Sequence, residues 1–247
     1  MTEIANLYET IFKRKSVRRY DPNPLDEKTL AGILSFLNTL KPLYGGIKTE
    51  VKIVPQKNVW SLQPKAPHYL AVFSETKDGY LTNVGFMMQQ MDLFLSSIGI
   101  GACWQGIPKL SKEALRSSNL KFVIVLAFGR PAETLYRKSI SEFKRKPIEQ
   151  IRDFAGADEL LEPARLAPSA VNNQSWFFTG KEGVIHAYCT KPKFLMGAWI
   201  RIDIGIALCH IWIAAEHFDK NVEFINNEKV LSSHPKGCHY IGTLSIK

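Results

Sequence analysis

Cysteine is scarce in this chain. Four occur among 247 residues, Cys103, Cys189, Cys209 and Cys238, and no two form a C-x-x-C pair. That excludes a disulfide scaffold and a cysteine-ligated zinc centre, leaving free thiols in a reducing compartment as the expectation. The six histidines show no H-E-x-x-H or comparable metal-binding spacing, so they read as core or surface residues. Ser169 has no G-x-S-x-G frame to mark a hydrolase nucleophile. No G-x-G-x-x-G follows a strand, so a separate dinucleotide fingerprint is missing. No apolar run reaches the ~20 residues that span a bilayer. The longest, Ile202 to Ala215, is interrupted by Asp203 and His210 and reads as a buried helix. Met1 to Ile4 does not open a signal peptide, and the cytoplasm is the expected location.

What the chain does have is a substantial apolar fraction, 45%, with 22% charged residues. That suits one or two globular domains, not disorder. The net charge is +9. An excess of cations fits nucleic acid, and it fits an anionic cofactor equally well. The dense basic runs are Lys13-Arg14-Lys15 with Arg18-Arg19, and Arg137-Lys138 with Lys144-Arg145-Lys146. Neither carries the interleaved aromatics of a single-strand binder, so no nucleic-acid partner and no membrane partner are expected.

The chain reads twice. Leu25 to about Leu40 has the pattern of a helix, followed by a turn at Lys41 to Gly46 and an alternating strand from Thr49 to Val54. Gly156 to Leu166 repeats the helix, Pro168 to Gln174 the turn, and Trp176 to Thr179 the strand. A long apolar helix follows in each half, Leu81 to Ser97 and Asp203 to Phe218. A short strand comes next, Gly101 to Trp104 or Val222 to Ile225, and then a β-rich closing run, Phe122 to Gly129 or Tyr240 to Ile246. A further strand is expected from His68 to Phe73.

Two stretches carry chemistry. Arg14, Ser16 and Arg18 place two guanidiniums around a hydroxyl, an arrangement able to grip phosphate, and in a helix the two arginines would share one face. Ala167-Pro168-Ser169-Ala170-Val171-Asn172-Asn173-Gln174-Ser175-Trp176 ends a helix in a polar turn rich in short hydrogen-bonding side chains. Together they resemble the two halves of the flavin site in the FMN-dependent nitroreductase family. Its R-x-S-x-R element matches Arg14, Ser16 and Arg18. Its A-P-S-x-x-N-x-Q-P-W element matches Ala167, Pro168, Ser169, Asn172, Gln174 and Trp176, with Ser175 in place of the usual proline. In the family the second element follows soon after the first; here it comes about 150 residues later.

The resemblance implies an α+β, three-layer α/β/α fold and FMN as cofactor. It also implies NADH or NADPH as electron donor and a small electron-poor molecule, such as a nitroaromatic or quinone, as acceptor, in ping-pong turnover without a catalytic side chain. Family members pair as dimers and build each site from both subunits. Each motif occurs in one half only, so the expectation is two pseudo-symmetric halves, 1–146 and 147–247, in one intertwined unit. Such a chain would be a monomer with a pseudo-dimeric fold, open to further pairing, and would hold one flavin. The resemblance further assigns Gln105, Gly106 and Ile107 to the ring, Lys144 and Arg145 to the phosphate, Gln63 to the pyrimidine edge, and Pro168, Ser169, Ala170, Asn172 and Gln174 to the ring loop. Lys146 reads as a solvated linker charge. The alternatives are a flavin-binding module without turnover, a specialised flavin enzyme of the same fold, and an anion- or nucleic-acid-binding domain.

Overall fold

The computed structural model describes residues 3–62, 65–190, 197–226 and 235–247. Helix α1 (Glu3–Ile11) leads into an extended segment, and α2 (Glu27–Leu37) is capped by the Asp26 carboxylate, which accepts from the Thr29 amide at 2.8 Å. Strands β1 (Thr49–Pro55), β2 (Val59–Trp60) and β3 (His68–Ser74) precede the long helix α3 (Tyr80–Ser97). Strands β4 (Gly101–Gln105) and β5 (Lys109–Leu110), the short helix α4 (Lys112–Arg116) and β6 (Lys121–Gly129) follow. Past a loop come α5 (Asp158–Arg165), β7 (Trp176–Lys181), β8 (Val184–Thr190), α6 (Gly197–His217), β9 (Val222–Ile225) and β10 (Cys238–Ile246).

Two four-stranded antiparallel sheets form, ordered β1-β3-β6-β4 and β7-β8-β10-β9. In both, the first, second, fourth and third strands in chain order lie side by side, and the long helix falls between the second and third. β3 is buried along its whole length because both faces of its sheet are covered. Leu70 and Val72 face the main core, while Tyr69, Ala71 and Phe73 face a smaller cluster with Ala114 of α4.

α3 and α6 pack against each other at the centre, and α1 packs against both. Their approach is set by two glycines. A Cβ on Gly85 of α3 would sit 2.1 Å from the Ile202 carbonyl oxygen of α6, and a Cβ on Gly205 of α6 would sit 2.1 Å from the Thr82 carbonyl oxygen of α3. Each helix thus offers a glycine to the other's backbone, three residues beyond the carbonyl it presents in return. α6 is long and apolar enough to cross a membrane by length and composition, and begins five residues before the apolar run seen in the sequence. Most of it is buried within the protein, as expected of a core helix.

Candidate functional site

The site grows from a cluster of arginines where the N-terminal segment meets the loop after β6. The segment after α1 is extended, not helical. Val17 donates its amide to Ala102 O of β4 at 2.9 Å, and Arg14 forms a β-bridge with Tyr136. Arg14 and Arg18 therefore do not share a helical face. Arg14 is buried, with Nε 3.1 Å from Asp92 Oδ2 of α3 and Nη2 donating to Ser16 Oγ at 3.2 Å. Arg18 is exposed, and its backbone amide donates to Glu133 Oε1 at 2.6 Å.

Arg137, which the sequence showed only as part of a basic run, belongs to this cluster. Its guanidinium donates to the Arg14 carbonyl and lies 4.1 Å from the Phe143 ring centroid. Burial first, then the nearby Arg14 charge, pushes Arg137 down to about 10. Arg145 also lies near Phe143, its guanidinium carbon 5.6 Å from the ring centroid. It donates to Phe143 O at 2.9 Å and Leu166 O at 3.1 Å, and reaches the Asn172 side chain. Burial, then Arg14, Arg137 and Arg165, push it down to about 9, and its Nε is buried without a partner. Cations that depress one another in a half-buried place are the electrostatic image of an anion site.

Arg145 connects this cluster to the ring loop. Asn172 Nδ2 donates to Lys144 O at 3.0 Å, and the Lys146 amide donates to Gln174 Oε1 at 2.7 Å. Lys146 Nζ also donates to Gln174 O at 3.0 Å, so this lysine is a tie between the two stretches and not the solvated charge expected. Lys144 itself is exposed and left-handed, with φ 51°.

The ring loop is strained. Val171, Asn172 and Gln174 have φ of 47°, 57° and 50°, a region that non-glycine residues seldom occupy and β-branched ones least of all. Such backbone persists where its surroundings over-determine it. Ser169 Oγ accepts from the Gln174 amide at 2.9 Å, and Gln174 Nε2 donates to Asn172 O at 3.0 Å. From below, both oxygens of buried Asp203 accept from the Ala170 amide, at 3.0 and 3.2 Å. Pro168 is buried, whereas Val171 is 84% exposed at the loop's tip.

Asp203 was visible in the sequence only as a break in an apolar run. Burial pushes it up to about 7, opposed by the Ala170 hydrogen bond. A raised carboxyl binds its proton more readily folded than unfolded, so its contribution to stability falls between pH ~4 and ~7 and is level above. Asp203→Asn removes that dependence. In urea titrations the parent is expected to lose stability relative to the variant over this window. Parallel profiles would show an ordinary carboxyl.

On the remaining side, β4 ends at buried Gln105, followed by Gly106 and by Ile107, which is 67% exposed. A Cβ at Gly106 would lie 2.9 Å from Trp199 Nε1, so the Trp199 indole from the first turn of α6 covers this loop and would have to shift for any larger residue. Trp199 is a neighbour that sequence reasoning missed. Gln63 lies outside the described residues.

A buried polar chain joins these parts. Gln89 Nε2 bonds both Asp92 Oδ2 at 3.2 Å and His210 Nε2 at 3.0 Å, while Trp104 Nε1 donates to Gln89 Oε1 at 3.3 Å. His210 Nδ1 meets Pro163 O of α5 at 2.8 Å. Burial lowers His210 to about 3, so its ring is neutral. It is a core histidine, one of the two readings the sequence left open. Among the described residues no cluster of side chains is set to hold a metal ion.

Comparison with known proteins agrees with this architecture. Residues 6–215 match the family described as "Putative TM nitroreductase". A crystal structure of a "putative nitroreductase" from Thermotoga maritima superposes with TM-score 0.68 at 22% identity, covering 98% of this chain and 93% of that one. An "FMN-dependent Nitroreductase" from Clostridium difficile aligns with TM-score 0.46 at 15% identity, covering 62% of this chain and 99% of that one. No curated protein sequence matches. The family match spans most of the chain, and the chain belongs to the nitroreductase family that it defines.

Proposed function

We propose that the protein is an FMN-dependent NAD(P)H oxidoreductase, with one flavin site built across its two halves. The observation that carries this is the arginine cluster. Arg14 of the N-terminal segment meets Arg137 and Arg145 of the loop after β6, the latter two depressed by burial and then by neighbouring arginine charge, beside a strained loop held from several sides. A dianionic phosphate would relieve that repulsion. Arg14, Ser16 and Arg145 would hold the phosphate, with Arg137 behind them and Lys144 at the rim. Ser169, Ala170, Asn172 and Gln174 would face the ring, with Gln105, Gly106 and Ile107 opposite and Arg18 at the pyrimidine edge.

When bound, FMN supplies the hydride chemistry that passes electrons from a nicotinamide to an electron-poor acceptor such as a nitroaromatic or quinone. This chain's residues bind and orient. Asp203 fixes the ring loop through Ala170, and Trp199 closes the approach above Gly106. One slot at the ring would serve donor and acceptor in turn, which would make turnover ping-pong. Arg18 keeps a cation where negative charge would build on reduction.

Each four-stranded half carries one motif, and Arg145 reaches from the first to Asn172 of the second. Flavin released by heating, divided by protein from amino-acid analysis, is expected to approach one per chain after reconstitution. Bleaching of the flavin absorbance by anaerobic NADPH or NADH is the accompanying test of turnover. A ratio of two would contradict the single composite site, and bound flavin that neither donor bleaches would leave a binding module.

A further inference from the structure

We propose that the cavity beside Trp60 binds the 2′-phosphoadenosine end of NADPH and makes the enzyme prefer NADPH over NADH. This rests on the functional reading above and names its donor.

The cavity is about 440 Å3, within the range of small-molecule sites. Gln56, Lys57, Trp60, Ser61, Lys65 and Tyr69 line it, and no acidic side chain is among its described lining residues. Trp60 is 56% exposed, an unusual placement for so large an apolar ring. Lys109 Nζ lies 5.5 Å from its ring centroid. An open indole face with cations around it, and no carboxylate, suits a planar heteroaromatic that carries negative charge. A cationic or purely apolar ligand would leave those lysines unanswered.

The position supplies the rest. β2 and β5 pair Trp60 with Lys109, two residues beyond Ile107 of the proposed ring loop. Two residues of chain span at most ~7 Å. Lys109 lies against the Trp60 ring, and Lys57 and Lys65, both exposed, line the same cavity. In a dinucleotide whose nicotinamide is at the flavin, the pyrophosphate comes next and then the ribose that carries both the 2′-phosphate and the adenine, so a ring face and cations are wanted side by side. The chain has no Rossmann fingerprint to recognise the adenosine by other means.

Adenosine 2′,5′-bisphosphate and 5′-AMP are the probes, titrated calorimetrically into the full-length protein. The parent is expected to bind the bisphosphate roughly tenfold more tightly, the effect of two charge-assisted contacts at a solvent-accessible site. Lys57→Ala with Lys65→Ala should abolish that preference and change 5′-AMP binding less than about twofold. Trp60→Ala should weaken both probes alike. With turnover, the double lysine variant should raise KM for NADPH and leave KM for NADH and FMN content as in the parent. Equal affinity of the parent for both probes would overturn the proposal, as would a preference that survives the double substitution. A chain that discriminates the probes but holds no flavin would sink the functional reading and leave this site standing.

Discussion

Gly205→Ala is expected to cost about 3 kcal/mol or more of folding stability and to lower the melting temperature by roughly 6–12 °C. The added methyl meets the Thr82 carbonyl oxygen at 2.1 Å, and neither partner can turn aside because both belong to helix backbones. α3 and α6 must move apart, and every layer of their shared core loosens with them. The better helix propensity of alanine returns only ~1 kcal/mol. Gly32 of α2 provides the control, since nothing lies within 4 Å of a Cβ there. Gly32→Ala should therefore be neutral or stabilising by up to ~1 kcal/mol. Urea unfolding of both variants decides the matter. Two similar shifts would mean that the helix crossing is not the constraint described.

That crossing shows what the sequence could and could not reveal. The long helices were legible from apolar length alone: Leu81 to Ser97 was expected and Tyr80–Ser97 is found. The second, expected from Asp203, begins at Gly197, because Trp199 and Arg201 obscure the apolar pattern of its first turn. Strands rich in β-branched and aromatic residues were equally plain, and Val222–Ile225 coincides with the expectation. β8 was missed because His186, Tyr188 and Cys189 dilute its alternation. α1 was missed although Ile4, Leu7 and Ile11 keep helical spacing, because the basic residues after it dominate the reading.

The site was legible where residues are neighbours in sequence and illegible where they meet only in space. Ser169, Asn172 and Gln174 could be singled out together because one turn holds them. Asp92, Asp203, Arg137 and Trp199 could not, because each acts on a segment far away in the chain: Asp92 on Arg14, Asp203 on Ala170, Arg137 on the Arg14 carbonyl, Trp199 on Gly106. Their only local mark is a polar residue set in an apolar helix, and Asp92 and Asp203 both carry it. The left-handed Val171 had no mark at all, since local preference disfavours valine there and tertiary ties impose it.

Arg145→Ala is expected to weaken FMN binding by about ten- to a hundredfold, the loss of one charge-assisted contact to phosphate. The residue acts twice. Its charge faces the anion, and its guanidinium holds Asn172 and Leu166, so the ring loop loses a support at the same time. Arg145→Lys separates the two: the charge stays but the planar fork is gone, and affinity should fall between parent and alanine variant. A readout that needs no flavin follows from the crowding of these half-buried arginines. Inorganic phosphate should raise the melting temperature of the flavin-free parent by mass action, because a folded anion site binds it and the unfolded chain does not. The same addition should shift Arg145→Ala much less. If phosphate stabilises both proteins equally, the cluster is not the anion site, and the phosphate grip must be sought away from Arg14 and Arg145.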